Sequence, residues 1–409
     1  MTSSQSASPY TPDSRYAWFR LVLSLILGTT ACVGTWSVVV VLPTVQAEFG
    51  TLRAGASLPF TAVMLGFAFG SLVMGRIADR YGLGVPVALG AVLLLAGYGL
   101  ASQATSLTQF ALAHGLLIGI GTAAGFAPLI ADLSHWFVKR RGLAVVMGAT
   151  GSYLAGAIWP QVITWGLANH GWRATHLAIG IVTCAIMLPL AWMLRIRPSL
   201  ETMRQAEQAT QAARGDLGLS PAALQAMLFV AGFACCVAMS MPQVHIVAYC
   251  SDLGYGVARG AEMLSLMMLL GVVSRLASGF VADKIGGVAT LMIGSVMQAV
   301  ALFFYLWFDG LSSLYLISAI FGLFQGGIVP MYAVIIREYL PPREAGVRIG
   351  FVMMATILGM AAGGYLSGLI FDQFASYRMA FLNGLLWNGL NLAVVAWLMV
   401  RGRRRLQPA

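Results

Sequence analysis

Charge is what this chain has least of. Asp, Glu, Lys and Arg make up 9% of its 409 residues, against about 25% in soluble domains. With 59% hydrophobic residues and a mean hydropathy of +0.83, no aqueous fold could hide the apolar surface, so the solvent of this fold is a bilayer. Catalytic signatures are missing too. There is no phosphate-cradling G-x-x-x-x-G-K-[ST], no H-E-x-x-H and no Cys/His ligand spacing. The cysteines, Cys32, Cys184, Cys235, Cys236 and Cys250, lie in or beside apolar runs and read as small hydrophobes. No enzyme, metal site or cofactor is expected, and ATP-driven pumping lacks a nucleotide domain. The Ser/Pro-rich start, MTSSQSASPYTPDSRYAW, has no apolar core before a cleavage site, so no signal peptide is expected. The net charge of +10 is assigned to loops and lipid headgroups, not to nucleic acid.

What is abundant is long apolar runs. A membrane helix needs about 20 mostly apolar residues. Such runs cover 20–44, 57–78, 85–103, 107–134, 143–167 and 174–195, then 222–250, 258–282, 287–308, 312–338, 347–370 and 379–400. The expected fold is an all-α membrane protein of twelve transmembrane helices in two pseudo-symmetric six-helix bundles. Its parts are an N-terminal tail (1–19), a first bundle (20–195), a polar linker (196–220), a second bundle (221–400) and a basic tail (401–409). Of 24 Lys and Arg residues, only Arg53, Arg173, Arg259 and Arg378 fall on the side opposite the termini, and Arg275 falls on neither. The positive-inside rule then places both termini in the cytoplasm. The 47 glycines suit close helix approach, with Gly66/Gly70 and Gly115/Gly119 as packing pairs.

One polar turn occurs twice, half a chain length apart: GRIADRYG at 75–82 and GFVADKIG at 279–286. Both read G-x-x-x-D-[RK]-x-G. Gly75, Asp79 and Arg80, with Gly279, Asp283 and Lys284, are expected to form a gating turn whose carboxylates bind helix-end N–H groups or a loop arginine. The alternative is a solvated turn that only fixes topology. The arginine four residues before the second turn, Arg275, has no counterpart: Ser71 stands at the equivalent place. A charge at membrane depth faces a cavity by default, and a guanidinium there holds a carboxylate through two parallel hydrogen bonds. The alternative is an arginine buried against an internal acid.

The six-plus-six layout, the linker and the turns resemble the major facilitator superfamily. Finer stretches are similar to the monocarboxylate transporters and oxalate–formate exchangers: GTWSVVVVLPTVQAEFG (34–50), RAGASLPFT (53–61), HWFVKRRGLAVVMGATGSYLAG (135–156), VHIVAYCSDLG (244–254) and SRLASGFVADKIG (274–286). The resemblance spans Phe19 to Arg401. It implies that Arg275 anchors the substrate carboxylate. It also implies a part in proton coupling for Asp252, with His245 seven residues before it on one helix face. Asp252 is expected to pair with Arg275 in the empty protein; the alternative places it in the loop at the outer face. Phe126, Tyr153, Gln325 and Tyr332 are expected to shape the substrate slot, or else to pack. Asp132 is expected in a charge cluster with Arg140 and Arg141.

The chain departs from the family in three places. Gly271 replaces an acid one turn before the arginine. Residues 35–44 lack the first-helix lysine. Thr356 stands where the oxalate exchanger has a second cation. One cavity cation suits one carboxylate. The expected function is proton-coupled symport of a small monocarboxylate, lactate- or pyruvate-like, by alternating access of a monomer in a bacterial inner membrane. The alternatives are an anion exchanger and a proton-driven drug exporter, although the fifth helix lacks an adjacent Gly-Pro. A solute sensor would need a partner domain for which the linker and tail leave little room.

Overall fold

Two successive bundles emerge in the computed structural model, which describes residues 13–137, 141–196, 219–340 and 342–406. Most of the expected linker, and Lys139 and Arg140, lie outside the described residues. Among those described, 11 helical stretches are long and apolar enough to cross a membrane. The first bundle contains α1 (Arg15–Glu48), α2 (Arg53–Tyr81), α3 (Gly84–Ser102), α4 (Leu107–Trp136) and a 51-residue stretch, Leu143–Met193. That stretch reverses at Gly171 (φ 74°, ψ 168°), a conformation that favours glycine. It therefore supplies two crossings, α5 (143–170) and α6 (172–193). The second bundle contains α7 (Pro221–Asp252), α8 (Val257–Ile285), α9 (Gly287–Trp307), α10 (Leu311–Tyr339), α11 (Arg348–Phe374) and α12 (Tyr377–Arg401). The expected twelve crossings are all present.

Local chemistry sets the ends. Ser14, Ser106 and Ser220 each cap a helix by accepting a hydrogen bond from the N–H three residues on. At the duplicated turns, Gly82 and Gly286 end α2 and α8 with φ of 86° and 84°, which explains the repeated final glycine. The next helix in the second bundle, α9, starts with its Gly287 N–H donated to both Glu338 oxygens, at 3.0 and 3.1 Å. Glu338 of α10, not Asp283, therefore satisfies this helix end. The same face of the molecule holds Arg20, whose guanidinium grips Asp132 at 2.6 and 2.9 Å and also donates to the Leu194 carbonyl. Asp132 thus pairs with α1. The expected cluster with Arg140 and Arg141 rests on residues whose side chains are not described.

Glycine fixes the packing, as in lipid no hydrophobic drive pulls helices together. A Cβ on Gly66 would stand 1.9 Å from the Gly115 carbonyl oxygen, and one on Gly119 would stand 2.6 Å from the Val63 oxygen. Thus α2 and α4 touch backbone to backbone. The second bundle repeats this between α8 and α10, where a Cβ on Gly326 would lie 2.1 Å from the Gly271 oxygen. Between bundles, the second helix of each half lies against the fifth of the other, α2 on α11 and α5 on α8. Large apolar side chains such as Phe69, Trp192 and Trp307 are exposed, as expected of a fold whose solvent is a bilayer.

Gly66→Ala is expected to lower the thermal midpoint in detergent by several degrees, since overpacking costs about 1–3 kcal/mol. Gly99→Ala, with open space around it, is expected to leave the midpoint unchanged or raise it. Fluorescence-detected unfolding of both variants measures this.

Candidate functional site between the bundles

Arg275 sits on α8 about ten residues, or roughly 15 Å of helix, from the Ile285 end. It is 4% exposed and turned into the bundle interface. Its Nη1 donates to the Ala149 carbonyl of α5 at 2.6 Å, and its Nε donates to the Gly326 carbonyl of α10 at 3.2 Å. Its Cζ lies 4.1 Å from the centroid of the Tyr153 ring, within cation–π range. Among the described residues the ion pairs are Arg20–Asp132, Arg53–Asp252, Arg173–Glu48 and Arg259–Glu262, so no carboxylate neutralises Arg275.

Helix breaks create this setting. The backbone of α5 turns at Thr150, and the Tyr153 N–H bonds to the Thr150 carbonyl instead of reaching back to Ala149. The Ala149 carbonyl is left to accept from Arg275 and from Ser152 Oγ at 3.1 Å. The backbone of α10 turns at Gly326–Gly327, and the exposed groups are met by α8: Ser274 Oγ accepts the Gly327 N–H at 3.1 Å and Arg275 donates to Gly326. A Cβ on Gly271 would stand 2.4 Å from the Tyr153 ring. The ring fills the place where the resembled family carries an acid, and its π face offers the guanidinium a neutral substitute. Gln325, fully buried, completes the wall, with its Oε1 accepting from Gln243 Nε2.

The other expected slot residues have partners of their own. Tyr332 is fully buried, and its hydroxyl donates to Asn391 Oδ1 at 2.9 Å within a network of Asn388, Asn391 and Ser295. This network pins α9, α10 and α12 together inside the second bundle. Phe126 is half-buried at a turn in α4, its ring 5.8 Å from that of Phe67. Asp79 and Asp283 are both exposed and neither carries an ion pair or hydrogen bond among the described residues. Arg80 lies with its guanidinium 5.3 Å from the Tyr81 ring.

The expected Asp252–Arg275 pair does not form. Asp252 is the last residue of α7, at the face opposite the duplicated turns, and its two oxygens each lie 2.8 Å from Nη2 of Arg53. The arithmetic of helix length explains the correction, because α8 begins near Asp252 and carries Arg275 most of the way to the far face. Arg53 opens α2, so this ion pair crosses between bundles. A second acid reinforces it. Asp372 of α11 accepts the Arg53 and Ala54 N–H groups, both at 2.7 Å, and so caps α2 from the other bundle. The buried guanidinium lies 4.7 Å from the Phe371 ring and 5.8 Å from the Tyr377 ring.

His245 joins this gate. Its Nε2 lies 2.8 Å from the Gly364 carbonyl and its Nδ1 3.1 Å from the Tyr377 hydroxyl. A carbonyl only accepts, so Nε2 carries the proton and Nδ1 accepts from Tyr377. His245 and Asp252 are therefore brought to one place, but to Arg53 and Tyr377 rather than to Arg275. Inter-bundle hydrogen bonds run from this gate inward: Thr61 to the Ala361 carbonyl at 3.1 Å, Gln161 to Ser265 at 3.3 Å, then Arg275 to Ala149. Sequence reasoning missed Arg53, Asp372, Tyr377 and Gln243 as site residues. The one available signal was Arg53 and Asp372 standing at the ends of apolar runs.

A double-mutant cycle on thermal midpoints separates the two pairings. Arg53→Ala and Asp252→Ala are expected to be non-additive, with a coupling on the order of 1 kcal/mol. Arg275→Ala and Asp252→Ala are expected to add.

Comparison with known proteins agrees with this architecture. Monocarboxylate transporter 13 of Rattus norvegicus is 28% identical over 383 residues, covering 91% of this chain and 86% of that protein. The Agnestins efflux protein AgnL12 of Paecilomyces divaricatus is 23% identical over 394 residues, covering 94% and 89%. The crystal structure of the nucleoside transporter NupG superposes with a TM-score of 0.69 over 93% of this chain and 99% of that one, at 15% identity, which shows a shared fold. The family model described as Major Facilitator Superfamily matches residues 24–320 and 279–408. With both bundles covered, the chain belongs to the major facilitator superfamily and is a multi-pass membrane transporter, not an enzyme.

Proposed function

We propose that the protein is a secondary transporter that moves a small organic monocarboxylate with a proton by alternating access, as a monomer, with Arg275 as the anchor of the substrate. One observation carries this: a buried guanidinium between the bundles whose partners are carbonyls and an aromatic ring, not an acid. The name of the rat relative, a monocarboxylate transporter at 28% identity, supports it. An anion reaching Arg275 replaces the Ala149 carbonyl at Nη1. The bond broken joins the guanidinium to a neutral carbonyl and the bond made joins two opposite charges, so the exchange is favoured and α5 loses its hold on α8. Substrate binding and bundle separation are then one event.

Protons enter at the other end. A proton taken up by Asp252 removes the negative charge that holds Arg53, and the gate loses its ion pair while Asp372 still caps α2. The duplicated turns complete the cycle. With Asp79 and Asp283 unpaired and the Arg53 gate closed, this structure corresponds to a state sealed on the gate face. The turns would latch in the opposite state. By the positive-inside rule the turn face is cytoplasmic.

Export of larger amphipathic compounds is the alternative, favoured by the efflux relative AgnL12. Uptake of labelled monocarboxylate into proteoliposomes under an imposed pH gradient is expected, and collapse of the gradient is expected to slow it. Arg275→Ala is expected to lower uptake at least tenfold, since a hydrogen bond to a charged group is worth about 1.5–3 kcal/mol. Efflux of a fluorescent amphipathic cation that survives Arg275→Ala, without monocarboxylate uptake, would favour the alternative.

A further inference from the structure

We infer that Gln325 is a specificity-determining donor beside Arg275, and that Gln243 sets its orientation, so that the site selects monocarboxylates carrying a second hydrogen-bond-accepting oxygen next to the carboxylate. This rests on the assignment of Arg275 as the carboxylate anchor. The carrier is an unmet hydrogen bond. Gln243 Nε2 donates to Gln325 Oε1, so the oxygen of the Gln325 amide faces α7. The Gln325 Nε2 is then turned away, fully buried, with no acceptor. A buried donor left without a partner is destabilising by about 1–3 kcal/mol, and the great majority of buried polar groups avoid that state.

The place of this donor matters. Gln325 is the last residue before the break in α10, and the next residue, Gly326, gives its carbonyl to Arg275 Nε. Nε2 of Gln325 lies 3.7 Å from the point where a Cβ on residue 271 would stand, and the Tyr153 ring lies 2.4 Å from the same point. The face of that ring carries the Arg275 guanidinium. The Tyr153 ring fills the corner at Gly271, where a permanent cation, an aromatic wall and an amide that donates toward it meet. The N–H groups of Gln325 match an oxo or hydroxyl oxygen and offer nothing to a methylene. Gln243, on α7, touches neither the ring nor the guanidinium by any described hydrogen bond. It acts through Gln325 and is a positioning residue.

The test is the ratio of two half-saturation constants, for a 2-oxo acid and for the unsubstituted acid of the same chain length, pyruvate against propionate. Both are read by competition with labelled substrate in proteoliposomes. The intact protein is expected to favour pyruvate by about tenfold or more. Gln325→Leu is expected to bring the ratio near unity, and Gln325→Met serves if that variant does not fold. Gln243→Leu, which frees the amide to turn, is expected to lower the ratio as well. A ratio unchanged in the Gln325 variants, or both acids weakened equally, overturns the inference and leaves the amide met by a buried water. If the intact protein transports neither acid and Arg275→Ala changes nothing, it is the assignment of the anchor that fails.

Discussion

A guanidinium at membrane depth has to be neutralised or wetted, and the centre of this protein is arranged around how that is done for Arg275. Two carbonyls and one ring face meet it, and both carbonyls come from breaks in regular helix. The Ala149 carbonyl is free because α5 turns at Thr150. The Gly326 carbonyl is free because α10 turns there, and the Tyr153 ring lies flat because residue 271 has no side chain. Neutral partners hold the cation without discharging it. An internal acid would have satisfied it more strongly and left little for a passing anion to gain.

The two levels of the interface have different chemistry. At the gate face, Arg53 pairs with Asp252, His245 and Tyr377 hydrogen-bond beside it, and Asp372 clamps a helix start of one bundle to a helix end of the other. Near Arg275, the contacts are carbonyl and aromatic. These acids and Arg275 are thus on the same interface but not in contact. In the proposed cycle, coupling between them runs through the packing of α2 on α11 and of α5 on α8.

Much of the architecture was legible because lipid imposes it. Each crossing showed as an apolar run, the glycine pairs Gly66/Gly70 and Gly115/Gly119 showed by spacing, and the duplicated turn showed its final glycine at positive φ. Arg275 was legible because a lone charge in an apolar run is rare. The partners of charges were not. Asp252 reads from the sequence as a partner for Arg275 or as a helix-end residue, and the structure gives it to Arg53 at the helix end, because pairing across two bundles depends on which helix ends meet. Gly271 looked like a lost acid, yet the ring that replaces it comes from a helix more than a hundred residues away. Gln243 carried no signal at all, since an amide in an apolar run is also a common packing residue. The pairing of Tyr332 with Asn391 joins two helices, and spacing along one helix does not show it.

The central claim is that an anion takes the Ala149 carbonyl's place at Arg275 and thereby loosens α5 from α8. All five cysteines are buried, so labels placed at exposed outer positions on these helices, through Asn169→Cys and Ala258→Cys, report on this crossing alone. Pulsed electron–electron resonance between the two labels, with and without a saturating monocarboxylate, measures the separation directly. The distance distribution is expected to shift on adding the acid and to stay fixed when Arg275→Ala is also present. A distribution that ignores the acid in a protein that transports it, or that shifts equally without the guanidinium, would contradict the account.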